Sequence, residues 1–273
     1  MRLKLAEKYG FCFGVKRAIH IAEGNRNATT FGPLIHNVKE IERLQRDFGV
    51  SLSETLQQAQ DSQSVIVRTH GITKGDLEFL RERKTKIIDA TCPFVTKPQN
   101  IVEKMSKEGY QIIIFGDKDH PEVKGVASYG ENVVIVASVE EITKCKLRKK
   151  IALVSQTTKQ PEQFGKIAAF LASRVNELRV FNTICNATFE NQRAALELSQ
   201  EVDIMIIVGG KNSSNTKQLL KIAQTHCNDS YLVEDKNELQ KQWFRDKKLC
   251  GITAGASTPD WIIEGVKAEI EQI

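Results

Sequence analysis

Long apolar runs are missing from this 273-residue chain. The longest stretches, IIIF, VVIV and IMIIV, fall far short of the roughly 20 residues that span a bilayer. The opening MRLKLAEKYG has neither an apolar signal core nor a small-residue cleavage site, so the expected setting is the cytoplasm with no membrane contact. No CxxC pair occurs, which argues against the usual structural zinc sites, and no four-cysteine run marks a ferredoxin. Six cysteines are too sparse for a disulfide scaffold, and cytosolic thiols stay reduced. GGKNSSNT (209–216) lacks the GK[ST] ending of a P-loop, so a nucleoside triphosphate is not indicated. Pro, Gly and Ser never cluster into a linker. The net charge of +5 favours anionic ligands only mildly. The basic stretches RERKTK (81–86) and KLRKK (146–150) read as solvated faces, and no nucleic-acid partner is expected.

What the chain does contain is short apolar runs alternating with helical patterns. SVIV, KIID, QIIIF, NVVIV, KIALVS, ELRVF, DIMIIV, SYLV and KLCGIT read as buried parallel strands of α/β units. Helical periodicity between them covers stretches such as Val15–Glu23, Val38–Phe48, Val95–Lys107 and Thr216–Thr225. Cys12 in KYGFCFGVKRA, Cys92 in IIDATCPFV and Cys185 in FNTICNATF each stand between a strand-like stretch and an amphipathic helix. They lie 80 and 93 residues apart, close to a third of the chain. The simplest organisation is three similar α/β units, at 1–95, 96–182 and 183–273, with each of these cysteines at the head of a helix.

A single intracellular cysteine is most simply a small buried hydrophobe, and Cys145, Cys227 and Cys250 fit that description. Cys12, Cys92 and Cys185 share a context and a period. A helix N-terminus biases a thiol toward thiolate, the form that attacks or binds metal. Three converging thiolates call for a soft metal centre, and three protein ligands leave one position open, the mark of a catalytic site. A nucleophilic role for Cys92 in a zinc- or thiol-based phosphate-ester enzyme remains the rival from the same residues. A nucleic-acid module using the basic stretches is the rival from another class.

Several strands end in imidazole, hydroxyl or amide groups: His36 in GPLIHN, His70 in RTHG, His120 and Glu122 in DKDHPEV, Gln156 to Thr158 in SQTT, Ser213 to Asn215 in KNSSNT, and Ser257 in GAST. In open α/β sheets ligands gather beyond the carboxyl ends of strands, where helix N-termini attract phosphate. Taken singly, each Ser, Thr or Asn there is a plain helix cap.

Together GFCFGVKRA, GPLIHN, RTHG, DATCPFV, GDKDHPEVKG, SQTT, NTICNAT, GGKNSSNT and GITAGASTP resemble, in order, the IspH/LytB family of 4-hydroxy-3-methylbut-2-enyl diphosphate reductases. The resemblance covers essentially the whole chain. It implies an α/β, trefoil-like monomer of three pseudo-repeated units around a central [4Fe-4S] cluster. Cys12, Cys92 and Cys185 would hold three irons and leave the fourth open. It also implies that His36, His70, His120, Ser213, Asn215 and Ser257 bind the diphosphate, with Ser214 beside them. Glu122 and Thr157, with His120 nearby, would deliver the proton that releases the substrate hydroxyl as water. Reduced flavodoxin or ferredoxin would be the electron donor.

Overall fold

A computed structural model describes residues 1–60, 62–83 and 85–273; Lys84, in the basic stretch 81–86, lies outside the described residues. In chain order, β1 (Arg2–Leu5), α1 (Phe13–Gly24), β2 (Thr29–Phe31), α2 (Val38–Phe48), β3 (Ser51–Ser53), α3 (Leu56–Gln60), β4 (Ser64–Val67), α4 (Lys74–Glu82) and β5 (Lys86–Asp89) come first. Next are α5 (Pro93–Lys107), β6 (Gln111–Phe115), α6 (Pro121–Ala127), β7 (Val133–Val136), α7 (Val139–Thr143), β8 (Lys150–Ser155), α8 (Pro161–Ala172) and β9 (Glu177–Val180). The chain ends with α9 (Asn186–Ser199), β10 (Ile204–Val208), α10 (Ser214–Ala223), β11 (Ser230–Val233), β12 (Leu249–Ala254) and α11 (Asp260–Glu271). None of the described helices is long and apolar enough to cross a membrane.

The chain divides into a terminal unit (Met1–Lys16, Ile35–Asp47, Asn186–Ile273) and a central unit (Arg17–Leu34, Phe48–Cys185). The central unit contains two four-stranded sheets, β5-β4-β2-β3 and β9-β8-β6-β7, and the terminal unit contains one, β1-β12-β10-β11. Every strand pairing among the described residues is parallel. The expectation of α/β units built on parallel strands is therefore met, and all three sheets share one layout. A cysteine-bearing connection follows the edge strand β5, β9 or β1. Next to that edge lies β4, β8 or β12, then the inner strand β2, β6 or β10, then the outer strand. The pair beside the edge also shares its register, ending at Phe31↔Val67, Phe115↔Ser155 and Val208↔Ala254.

Physical position explains the composition of these strands. β6 and β10 are buried along their whole length because helices cover both faces, which is why QIIIF and IMIIV do not alternate. Each such Ile contributes about 1.5–3 kcal/mol of burial. The edges β1, β5 and β9 mix partly buried and exposed residues. Three strands escape the apolar pattern altogether: β1 (RLKL), β2 (TTF) and β3 (SLS). β1 pairs with β12, so the first strand of the chain completes the sheet made by its last three.

Candidate active site

Each of the three periodic cysteines directly precedes a helix: Cys12 before α1, Cys92 before α5 and Cys185 before α9. Pro93 occupies the first turn of α5, where no amide proton is required, and Cys92 is its N-cap residue. The three backbone amides are anchored alike. Cys92 N–H donates to the Thr69 carbonyl at 3.0 Å, Cys185 N–H to Thr157 at 2.9 Å, and Cys12 N–H to Ala256 at 3.2 Å. Thr69, Thr157 and Ala256 each lie two residues beyond the strand next to the edge. One side-chain-independent device thus sets all three thiols at helix entrances.

In the central unit, Thr157 is the hub. Its N–H donates to Glu122 Oε1 at 2.7 Å and its hydroxyl to Glu122 Oε2 at 2.7 Å, while its carbonyl holds Cys185. Glu122 is 2% exposed, and burial pushes its carboxyl above the ordinary range against the opposing pull of the two Thr157 donors. The residue sits in the first turn of the short helix α6, capped by His120, whose Nδ1 accepts the Glu122 N–H at 3.2 Å. A neutral His120 therefore carries its proton on Nε2. The His70 and His120 rings meet edge to face at 5.6 Å between centroids. Gln156, 1% exposed, ties the two loops together: its Oε1 accepts Asp117 N–H at 2.9 Å and its Nε2 donates to Thr158 Oγ1 at 3.0 Å.

In the terminal unit, His36 precedes α2, Ser213 to Asn215 open α10, and Ser257 follows β12. Ser213 caps α10 by accepting the Thr216 N–H, which leaves its own hydroxyl proton available for a ligand. A Cβ on Gly210 would come 2.4 Å from the His36 carbonyl oxygen, so glycine there allows the two loops to touch. Asn215 is 5% exposed, and neither its Nδ2 nor its Oδ1 has a hydrogen-bond partner among the described residues. A buried amide without partners costs about 1–3 kcal/mol unless something polar meets it.

The family model described as LytB protein matches residues 3–271. The chain belongs to the LytB family. Relatives named 4-hydroxy-3-methylbut-2-enyl diphosphate reductase include those of Helicobacter hepaticus, 72% identical with both chains fully covered, and Wolinella succinogenes, 63% identical with 99% of each covered. Two solved structures also match. The (E)-4-hydroxy-3-methyl-but-2-enyl diphosphate reductase, described as the terminal enzyme of the non-mevalonate pathway, is 41% identical with both chains fully covered and a TM-score of 0.73. The E-1-hydroxy-2-methyl-but-2-enyl-4-diphosphate reductase from Plasmodium falciparum is 28% identical, with a TM-score of 0.91 and coverage of 99% of this chain and 87% of that one.

In this LytB chain the other three thiols have ordinary structural settings. Cys250 is fully buried, and burial raises its pKa to about 12; Cys227 is also raised by burial. The Cys145 Sγ contacts the Glu141 carbonyl at 3.3 Å. No group of three or more His, Cys, Asp or Glu side chains among the described residues is placed to hold a metal ion. One connecting residue, Thr69, does not stand out as a site residue in the sequence. The signal that finds it is position. Two residues past the strand beside the edge come Thr69 and Thr157, and five past the inner strand come His36, His120 and Ser213. Two further on, Glu122 and Asn215 are counterparts, whereas α2 has the exposed Val38.

Proposed function

We propose that this LytB chain is a cytoplasmic 4-hydroxy-3-methylbut-2-enyl diphosphate reductase. It removes the C4 hydroxyl of the (E)-diphosphate with two electrons and two protons, releasing water and giving isopentenyl and dimethylallyl diphosphate. This is the last step of the non-mevalonate isoprenoid pathway. The observation that carries the reading is the Thr157 hub, which puts a buried proton carrier and an anchored cysteine on one residue.

Cys12, Cys92 and Cys185 fit an iron-sulfur centre by donor chemistry: three thiols, each at a helix N-terminus and each held by its backbone amide. They would hold a [4Fe-4S] cluster with one iron open. When bound, the cluster supplies the two electrons and a Lewis acid for the substrate hydroxyl.

The chain supplies the proton and the grip. Burial favours the acid form of Glu122, and a proton on Oε2 turns its hydrogen bond with Thr157 around. Thr157 Oγ1 then accepts from Glu122 and can pass its own hydroxyl proton to the departing oxygen. His36, His70, His120, Ser213, Ser214, Asn215 and Ser257 hold the diphosphate, each at a strand end or helix entrance where N–H groups and dipoles favour anions. The orphaned Asn215 amide supports this grip. Asn215→Leu removes the buried polar group and is expected to weaken substrate binding about 10-fold or more, one hydrogen bond to a charged group contributing about 1.5–3 kcal/mol. Melting temperature should hold or rise. Unchanged substrate affinity by calorimetry would remove Asn215 from the site. The electron donor in this reading is reduced flavodoxin or ferredoxin, and the enzyme is monomeric.

Anaerobic purification followed by iron and sulfide analysis, with turnover on the authentic diphosphate, tests the proposal. The expected protein is brown, with about four iron and four sulfide at full loading, and reduces the diphosphate with dithionite as donor. A colourless protein active on a phosphate ester would instead favour the Cys92 nucleophile.

A further inference from the structure

We infer that the cleft running along α5, from its head at Pro93 to Lys104 in its last turn, is the docking face for a small acidic electron-carrier protein. The inference rests on the proposed reductase reading, which requires two electrons from outside. The cleft, of about 580 Å³, lies wholly in the central unit and is lined by Thr91 and Pro93, the two residues that flank Cys92. A carrier seated there is one peptide link from a proposed cluster ligand.

Three cations and one carboxylate line the cleft: Arg17, Lys97 and Lys104 against Asp89. The Arg17 guanidinium donates to two backbone carbonyls, Thr91 at 3.2 Å and Asp89 at 3.3 Å, so hydrogen bonding fixes it without cancelling its charge. Lys97 is exposed and has no ion-pair partner among the described residues, and Lys104 reaches Glu108 only at 3.9 Å. The Asp89 carboxylate is turned to its own loop, accepting the Thr91 N–H at 2.8 Å. Pro93 and Ile101 add apolar contact. The cleft around Trp261 in the terminal unit differs: there Lys39 pairs with Asp235, Arg43 with Glu40 and Arg46 with Asp47. Uncancelled positive charge beside a redox ligand suits a transient acidic partner, since such encounters are small and electrostatically steered.

The test titrates oxidised flavodoxin, a small acidic carrier, into the anaerobic holoenzyme by calorimetry. Lys97→Glu/Lys104→Glu is compared with the parent and with Lys241→Glu, an exposed lysine elsewhere. The double variant is expected to bind roughly 10-fold more weakly or worse at low salt. That difference should narrow at high salt, where the Debye length falls to about 3 Å. Dithionite-driven turnover should be unchanged, whereas flavodoxin-driven turnover should fall at limiting flavodoxin. Equal affinities, or an equal loss in Lys241→Glu, would overturn the assignment. So would a matching loss of dithionite-driven turnover, or a face that binds single-stranded RNA through these lysines and no flavodoxin. A parent that fails with dithionite sinks the reductase reading instead, while the binding titration still decides the face.

Discussion

Glu122→Gln is expected to retain iron and bind the diphosphate while losing about 10²–10⁴-fold in turnover, the range for a missing general acid. The substitution keeps the shape of the side chain. Its carbonyl can still accept the Thr157 N–H that Oε1 accepts at 2.7 Å, and its amide group can donate to Thr157 Oγ1. Only the transferable proton is lost. The same change should alter stability in a defined direction. Burial raises the Glu122 carboxyl, so the folded chain binds this proton more tightly than the unfolded chain does. Its contribution to stability is full at low pH and is lost as pH rises through the folded value. Gln stays neutral throughout, so melting temperature followed across pH should decline less steeply toward alkaline pH in the variant. Turnover within 10-fold of the parent would remove Glu122 from the proton path. A melting profile parallel to the parent's would show that its ionisation is not linked to folding.

Cys12→Ser, Cys92→Ser and Cys185→Ser are each expected to leave the protein with little or no iron, whereas Cys145→Ser, Cys227→Ser and Cys250→Ser should keep it. Serine is a poor ligand for iron-sulfur iron, and an open site with three protein ligands has no spare thiolate to replace a lost one. The control set carries a different cost. Cys250 is fully buried, so serine there adds a polar group to an apolar core and should lower stability by about 1–3 kcal/mol without touching iron content. Iron per chain, with melting temperature measured alongside, separates the two effects. Iron loss in any control variant, or full iron in any of the first three, would mean that the ligand set is wrong.

The cysteine repeat and the polar strand ends are legible because they are local: residue type, a flanking strand-like run and a helical pattern are all written within about a dozen positions. α6 is not, since seven residues after His120 are too few for helical periodicity to stand out. Nor are β2 and β3, three residues each, whose Thr and Ser carry no apolar run.

The sequence by itself determined that parallel strands alternate with helices, that three thiols stand at helix entrances, and that imidazoles, hydroxyls and amides collect where strands end. Only the tertiary structure decided which of these groups meet. Thr157 reaches Glu122 across 35 residues because β8 and β6 are neighbours in one sheet, so the loops leaving them share an edge. β1 finds β12 across almost the whole chain because the terminal sheet lacks the edge strand that β5 and β9 provide in the others. Pairing of this kind depends on backbone groups that every residue carries, and side-chain patterns along the chain do not record it.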